Sequence, residues 1–287
     1  MRRLTRAAFA AASSVAVLAA VSACAPSSSP SATATNTSAN ACDNITTVTD
    51  GTLTVATSNP AYPPYVIKND PSNGKGFESA VAYAVADQMG FPGDQVKWTF
   101  APFLKLFAPG QKDFDFALNQ ISILPSRERA VTFSDPYYDA ANAVLVLKDS
   151  PFASATSLSD LKDAKFGVQV NTTGETEVEA QIAPTQSISV YDDTTTATQA
   201  LKNGDIDAFV TDAPTAVYLS DFVVPGKVVG RLPMDQAASS WGLVMQKGSP
   251  LAACVNQALT ALKSDGTLDQ ITQKWMAPYT DTSPILS

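Results

Sequence analysis

Strand-like and helix-like patterns alternate along this chain in two successive runs, and that order restricts the possible folds more than any other feature. Leu53-Thr54-Val55-Ala56 reads as a strand, and Phe77, Val81, Val85 and Met89 recur at four-residue steps as one face of a helix over 77–89. A strand near 95–100, a helical patch at 103–108 and a strand at 114–118 complete a β-α-β-α-β order. The order repeats after about residue 145, with strands at 165–170, 187–190 and 206–210 and helices near 174–182 and 195–202. A strand returns near 240–247, and two amphipathic helices, 250–263 and 267–276, are joined by Ser264-Asp265-Gly266, a stop-and-restart signal. Such alternation predicts an α/β protein with sheets flanked by helices, built as two short units in one chain.

The first 24 residues stand outside this pattern. Arg2, Arg3 and Arg6 form a basic head, residues 7–20 an apolar run, and Val21-Ser22-Ala23-Cys24 a small-residue close. The run is shorter than the ~20 residues a helix needs to cross a bilayer, so 1–23 read as a secretory signal. Val-Ser-Ala-Cys resembles a bacterial lipobox, which implies cleavage before Cys24 and lipid on its sulfur; an ordinary signal cut after Ala23 is the alternative. Two or more acyl chains anchor stably. Residues 24–42 then form the lipidated N-terminus and a linker. Its Ser/Thr/Ala/Pro-rich body cannot bury enough surface to order itself, and its reach is about 20–25 Å.

Removing the signal leaves 16 basic against 27 acidic residues, a balance of −11. An acidic surface argues against nucleic acid and against charge-driven binding to anionic lipid. The chain has no histidine, which excludes a Ser-His-Asp triad, a histidine base and histidine metal ligands. Cys42 and Cys254 remain once Cys24 is assigned to lipid. An even pair in an exported chain points to a disulfide, with two unpaired thiols as the alternative; two thiols alone make no metal site.

Residues 113–138, DFDFALNQISILPSRERAVTFSDPYY, carry the functional signal. An apolar run ends in Asn119, Gln120 and Ser122, Arg127 follows, and then an aromatic-rich loop. Amide and hydroxyl groups beside a guanidinium fork at the end of a buried strand can hold a small carboxylate. The stretch resembles the pattern "fDaiisgmSiTpeRakavdFSdPYy" of extracellular solute-binding protein family 3, the amino-acid-binding proteins of ABC importers. Asp115, Ser122, Arg127, Phe133, Ser134, Asp135, Pro136 and Tyr137 fall in register, and the likeness runs over about 50–278. It implies a two-lobed, type II periplasmic-binding-protein fold with parallel or mixed sheets and a two-strand hinge. Residues 43–139 plus 240–287 would form lobe 1 and 140–239 lobe 2, with crossings near 139–142 and 234–240.

The resemblance also implies roles. Arg127 would meet the ligand's carboxylate, together with the amides of Thr172 and Thr173 in Asn171-Thr172-Thr173-Gly174, the counterpart of the family's GTT. Asp212 matches the aspartate that pairs with the ligand's ammonium, and Ser122 would bond either group. Each has a plainer reading: a solvated arginine, an N-cap threonine, an N-cap aspartate before Pro214. Tyr62, and less directly Tyr65 and Phe103, fall where an aromatic packs on the ligand. Asn59 stands where binders of basic amino acids carry an acid, which argues against a basic ligand, since a buried cation without a counter-charge is costly. Asn119 and Gln120 replace small residues and narrow the pocket with donors and acceptors.

The expectation is therefore a monomeric lipoprotein on the outer face of the cell membrane, on the periplasmic side if an outer membrane is present. It would be no enzyme and would need no cofactor or metal. It would capture a polar, uncharged amino acid or close relative and deliver it to an ABC permease and ATPase on separate chains. A solute-sensing lipoprotein without transport and a dehydratase of prephenate-like acids on the same fold are the alternatives.

Overall fold

The computed structural model describes residues 40–43, 45–235, 238–280 and 283–287. The signal over 1–23, Cys24 and the linker as far as residue 39 lie outside them. In the first lobe, β1 (Leu53–Thr57), α1 (Phe77–Gln88), β2 (Val96–Phe100), the one-turn α2 (Phe103–Leu106), β3 (Phe116–Ala117), α3 (Pro125–Glu128) and β4 (Val131–Phe133) follow one another. After β5 (Tyr138–Asp139) come β6 (Asn142–Leu147), β7 (Phe166–Gln169), α4 (Thr173–Glu177), β8 (Ser189–Tyr191), α5 (Thr194–Asn203), β9 (Ala208–Asp212), α6 (Ala213–Phe222) and β10 (Gly226–Arg231). The chain returns through β11 (Ser240–Trp241) to β12 (Val244–Gln246), α7 (Leu251–Ser264) and α8 (Thr267–Met276).

Two five-stranded mixed sheets result, ordered β2-β1-β3-β12-β4 and β10-β6-β9-β7-β8. The parallel core of each, β2-β1-β3 and β8-β7-β9, is the part the sequence pattern predicts. The antiparallel members β12, β6 and β10 complete the sheets. Neither β6 nor β10 nor α6 stands out in the sequence. Asn-Ala-Val-Leu-Val-Leu is buried on both faces of its sheet, so it shows no alternation. Both faces of each sheet bury apolar clusters. Leu53, Val55 and Phe116 pack with α1, α7 and α8, and Ala56, Phe114 and Val131 fill the opposite face. In the second lobe Val144 and Phe166 pack on one side and Leu145 and Phe209 on the other.

The strand expected over 240–247 is broken at Gly242-Leu243. Ser240–Trp241 pairs with Tyr138–Asp139 as a separate two-stranded ribbon, while Val244–Gln246 enters the first sheet. The ribbon is the hinge, and Trp241, fully buried, packs against Tyr138 (ring centroids 5.1 Å apart) and edge-on to Tyr65 (5.7 Å). The helix expected near 174–182 changes to a π turn at Val178–Ile182.

Both ends of the body depart from the expected lobe boundaries. Residues 40–42, assigned to the linker, are pinned to α7: Ala41 N–H donates to Gln257 Oε1 (2.9 Å) and Gln257 Nε2 donates to Asn40 Oδ1 (2.9 Å). At the other end, Ile285 bridges to Arg231 and Leu286 is buried in the second lobe, although 240–287 was expected in the first. The physical reason is a fitted seat. A Cβ at position 230 would lie 2.5 Å from Leu286 Cγ, so Gly230 is what lets the tail lie against β10.

Cys42 and Cys254 form the expected disulfide, tying the N-terminus of the body to α7 across 212 residues of sequence. Replacing both with serine is expected to lower the unfolding free energy by about 3–5 kcal/mol, because so long a loop is costly to close without the bond. Urea unfolding checks this; coincident midpoints for the two proteins would refute it.

Candidate functional site

A cavity of about 380 Å³ lies where the two lobes face each other, at the carboxyl ends of β1, β3, β7 and β9. Each of the eleven ligand-site residues singled out in the sequence lines it. Asn59, Tyr62, Tyr65, Phe103, Asn119, Gln120, Ser122 and Arg127 come from the first lobe, and Thr172, Thr173 and Asp212 from the second. Glu78, Asn142 and Thr215 also line it and were not anticipated.

Arg127 is 6% exposed, which excludes the solvated reading. Its Nη1 donates to Ser122 O (2.9 Å) in its own lobe and its Nη2 to Asn171 O (2.7 Å) in the other. The guanidinium lies over Phe107 (4.4 Å to the ring centroid) and near Phe103 (5.8 Å), so the aromatic wall expected for the ligand also shields the cation. Burial lowers its pKa to about 10, with Asp212 acting in the opposite direction, so it remains charged at neutral pH. Two of its five N–H groups are engaged by these carbonyls.

Asp212 ends β9 and precedes α6, but its side chain makes no capping bond, so the plain capping role does not account for it. Burial raises its pKa to about 7; Glu177 and Glu78 push the same way and Arg127 opposes them. Glu78, 1% exposed in the first turn of α1, is raised to about 7 by burial against three hydrogen-bond donors. Thr172 is less free than expected. Its hydroxyl (2.7 Å) and its amide (3.3 Å) both donate to Gln169 O, while Thr173 Oγ1 accepts from Asn142 Nδ2 (2.9 Å). Asn59 Oδ1 accepts from Asn69 Nδ2 (2.8 Å) at the exposed rim.

Among the described residues, three hydrogen bonds join the lobes across the cavity. They are Arg127 to Asn171, Tyr62 OH with Thr195 Oγ1, and Tyr65 OH with Thr215 Oγ1 (3.1 Å). Two loop residues that depart from the family pattern take left-handed backbone, Gln120 at φ +49° and Asn171 at φ +56°. Asparagine tolerates this region; glutamine does so only when its surroundings hold it.

The family model described as bacterial extracellular solute-binding proteins, family 3, matches residues 53–278. The chain belongs to this family. Family members bind amino acids and work with ABC transporter permeases. Among similar proteins, the L-cystine-binding protein TcyJ of Escherichia coli (strain K12) is 29% identical over 78% of this chain and 82% of its own length. The ABC transporter glutamine-binding protein GlnH of Bacillus subtilis (strain 168) is 29% identical over 73% and 76%. Among solved structures, an ancestral arginine-binding protein bound to glutamine superposes with a TM-score of 0.66 and 33% identity, over 79% of this chain and 98% of that one. The ancestral amino acid-binding protein AncCDT-1, described as a precursor of cyclohexadienyl dehydratase, gives 0.64 and 32%, over 78% and 95%. The fold is thus the type II periplasmic-binding-protein fold. Among the described residues no helix is long and apolar enough to cross a membrane.

Proposed function

We propose that this family member is the lipid-anchored binding subunit of an amino-acid importer, holding a polar, uncharged amino acid or close relative between its lobes. The observation that carries this reading is that Arg127 and Asp212, opposite charges from opposite lobes, line one cavity. A zwitterion is complementary to that pair. The α-carboxylate meets the unused N–H groups of Arg127, with Ser122 and the Thr172–Thr173 turn beside them, and the ammonium meets Asp212. Because the two anchors belong to different lobes, ligand favours the closed form by differential affinity.

The uncharged side chain rests on the other residues of the cavity. Asn59 places an amide where a basic ligand would need a carboxylate. Glu78 is no substitute, since both of its oxygens are taken by Gln120 and Tyr137. The relatives' names span cystine, glutamine, arginine and histidine, so the fold by itself selects none of them. A thermal-shift screen of the twenty amino acids and cystine is the test. A bound ligand at a hundredfold excess over Kd adds about 2.7 kcal/mol of stability. Polar uncharged amino acids are expected to raise Tm and lysine and arginine to leave it unchanged; a response to lysine or arginine alone would overturn the assignment. Glu78 and Asp212, with pKa values of about 7, are the groups a dehydratase would need as acids. Turnover of prephenate-like acids would favour that reading instead.

A further inference from the structure

Glu78 does nothing in the binding scheme above, yet it is the most completely buried acid lining the cavity, and it is held with unusual care. Gly76 starts α1 at φ +104°, where a Cβ would lie 2.3 Å from Tyr65 O, so the helix begins hard against the Tyr62–Tyr65 turn. Glu78 N–H donates to Tyr65 O (3.1 Å), and the carboxylate sits in the first turn, where the helix dipole favours it. Oε1 accepts from Gln120 N–H (2.6 Å) and from Tyr137 OH (2.5 Å), and Oε2 accepts from Gln120 Nε2 (2.5 Å). One carboxylate therefore grips both the backbone and the side chain of the residue in left-handed conformation.

The grip continues into the cavity. With Nε2 committed to Glu78, Gln120 presents Oε1, which accepts from Asn119 Nδ2 (3.1 Å). With Nδ2 committed in turn, Asn119 presents Oδ1, a buried acceptor with no hydrogen-bond partner in a residue that lines the cavity. An amide can be turned end for end at little steric cost, so two adjacent amides alone would not fix which atom faces a ligand. Above about pH 7, where Glu78 is ionised, its carboxylate can only accept, and that breaks the degeneracy.

We propose that Glu78 is a positioning residue that, through Gln120, turns Asn119 Oδ1 toward the ligand and so selects amino acids whose side chain carries an N–H or O–H donor. This rests on the binding reading above and specifies its ligand class. An unpaired buried acceptor penalises a ligand that offers only acceptors, because neither group is then satisfied.

The test compares near-isosteric ligands by titration calorimetry, L-glutamine against L-glutamate and L-asparagine against L-aspartate, on the full chain without its signal and at a pH well above 7, where Glu78 is ionised. The wild type is expected to prefer the amides. Glu78→Gln can donate as well as accept, so the two amides are released and the amide-over-acid ratio is expected to fall about tenfold. Gln120→Gly breaks the relay while suiting the positive φ, and is expected to lower the ratio similarly. Adding Glu78→Gln to Gln120→Gly should then change it little, an outcome that a general packing role for Glu78 would not produce. A wild type that binds neither any of the twenty amino acids nor cystine sinks the binding reading itself. A wild type that prefers acids or donor-free side chains, or an unchanged ratio in Glu78→Gln, overturns the positioning role while leaving amino-acid binding in place.

Discussion

Arg127→Ala is expected to abolish amino-acid binding while far-UV circular dichroism stays native. The guanidinium is buried, and it touches both lobes through Ser122 O and Asn171 O. A ligand carboxylate in the same cavity would be left without its counter-charge, and breaking a buried ion pair by removing one partner costs about 3–5 kcal/mol. At about 1.4 kcal/mol per tenfold change, that is roughly a 10²- to 4 × 10³-fold loss of affinity. Arg127→Lys keeps the charge but loses the planar fork and the stacking on Phe107, so it is expected to restore little. Calorimetric titration with the best amino acid from the screen decides. Affinity retained in Arg127→Ala would mean that the carboxylate is held elsewhere.

The second large effect is a pH dependence of opposite sign for stability and for binding. Asp212 and Glu78 have folded-state pKa values of about 7 against ordinary values of 3.8 and 4.5, with burial as the first cause in each. The folded protein without ligand therefore binds protons that the unfolded chain releases. This contribution is complete below the ordinary carboxylate values and is lost as pH rises through about 7, so Tm should fall across that window. Binding runs the other way. An ammonium pairs with ionised Asp212, so affinity should weaken as pH drops below about 7. Asp212→Asn separates the two acids. It should bind weakly, and its remaining pH dependence should be that of Glu78 alone. An affinity profile identical in wild type and Asp212→Asn would remove Asp212 from the ammonium site.

Much of the fold was legible because local periodicity survives in it. The four-residue recurrence of Phe77, Val81 and Val85 became α1, and the tail pattern became α7 and α8 nearly to the residue. Residues 142–147 and 226–231 were not legible. The first is apolar without alternation because it is buried on both faces, and the second carries Gly226 and Gly230 for close approach of Leu145 and Leu286. The hinge break at Gly242 and the final residues on β10 follow from pairing with distant strands, for which no local pattern exists.

The candidate site divides along the same line. Its residue types and their places after strands were written in the sequence, but their roles came from the resemblance to family 3, since a lone arginine, threonine or aspartate at a strand end has a plainer reading as a solvated or capping residue. Glu78 could not be found that way, because its partners Gln120 and Tyr137 are 42 and 59 residues distant. Nor could the two acids raised to about 7, or the reach of Arg127 to Asn171 across 44 residues. Those properties depend on which groups lose water together, and that is decided only when two distant stretches of chain are folded against each other.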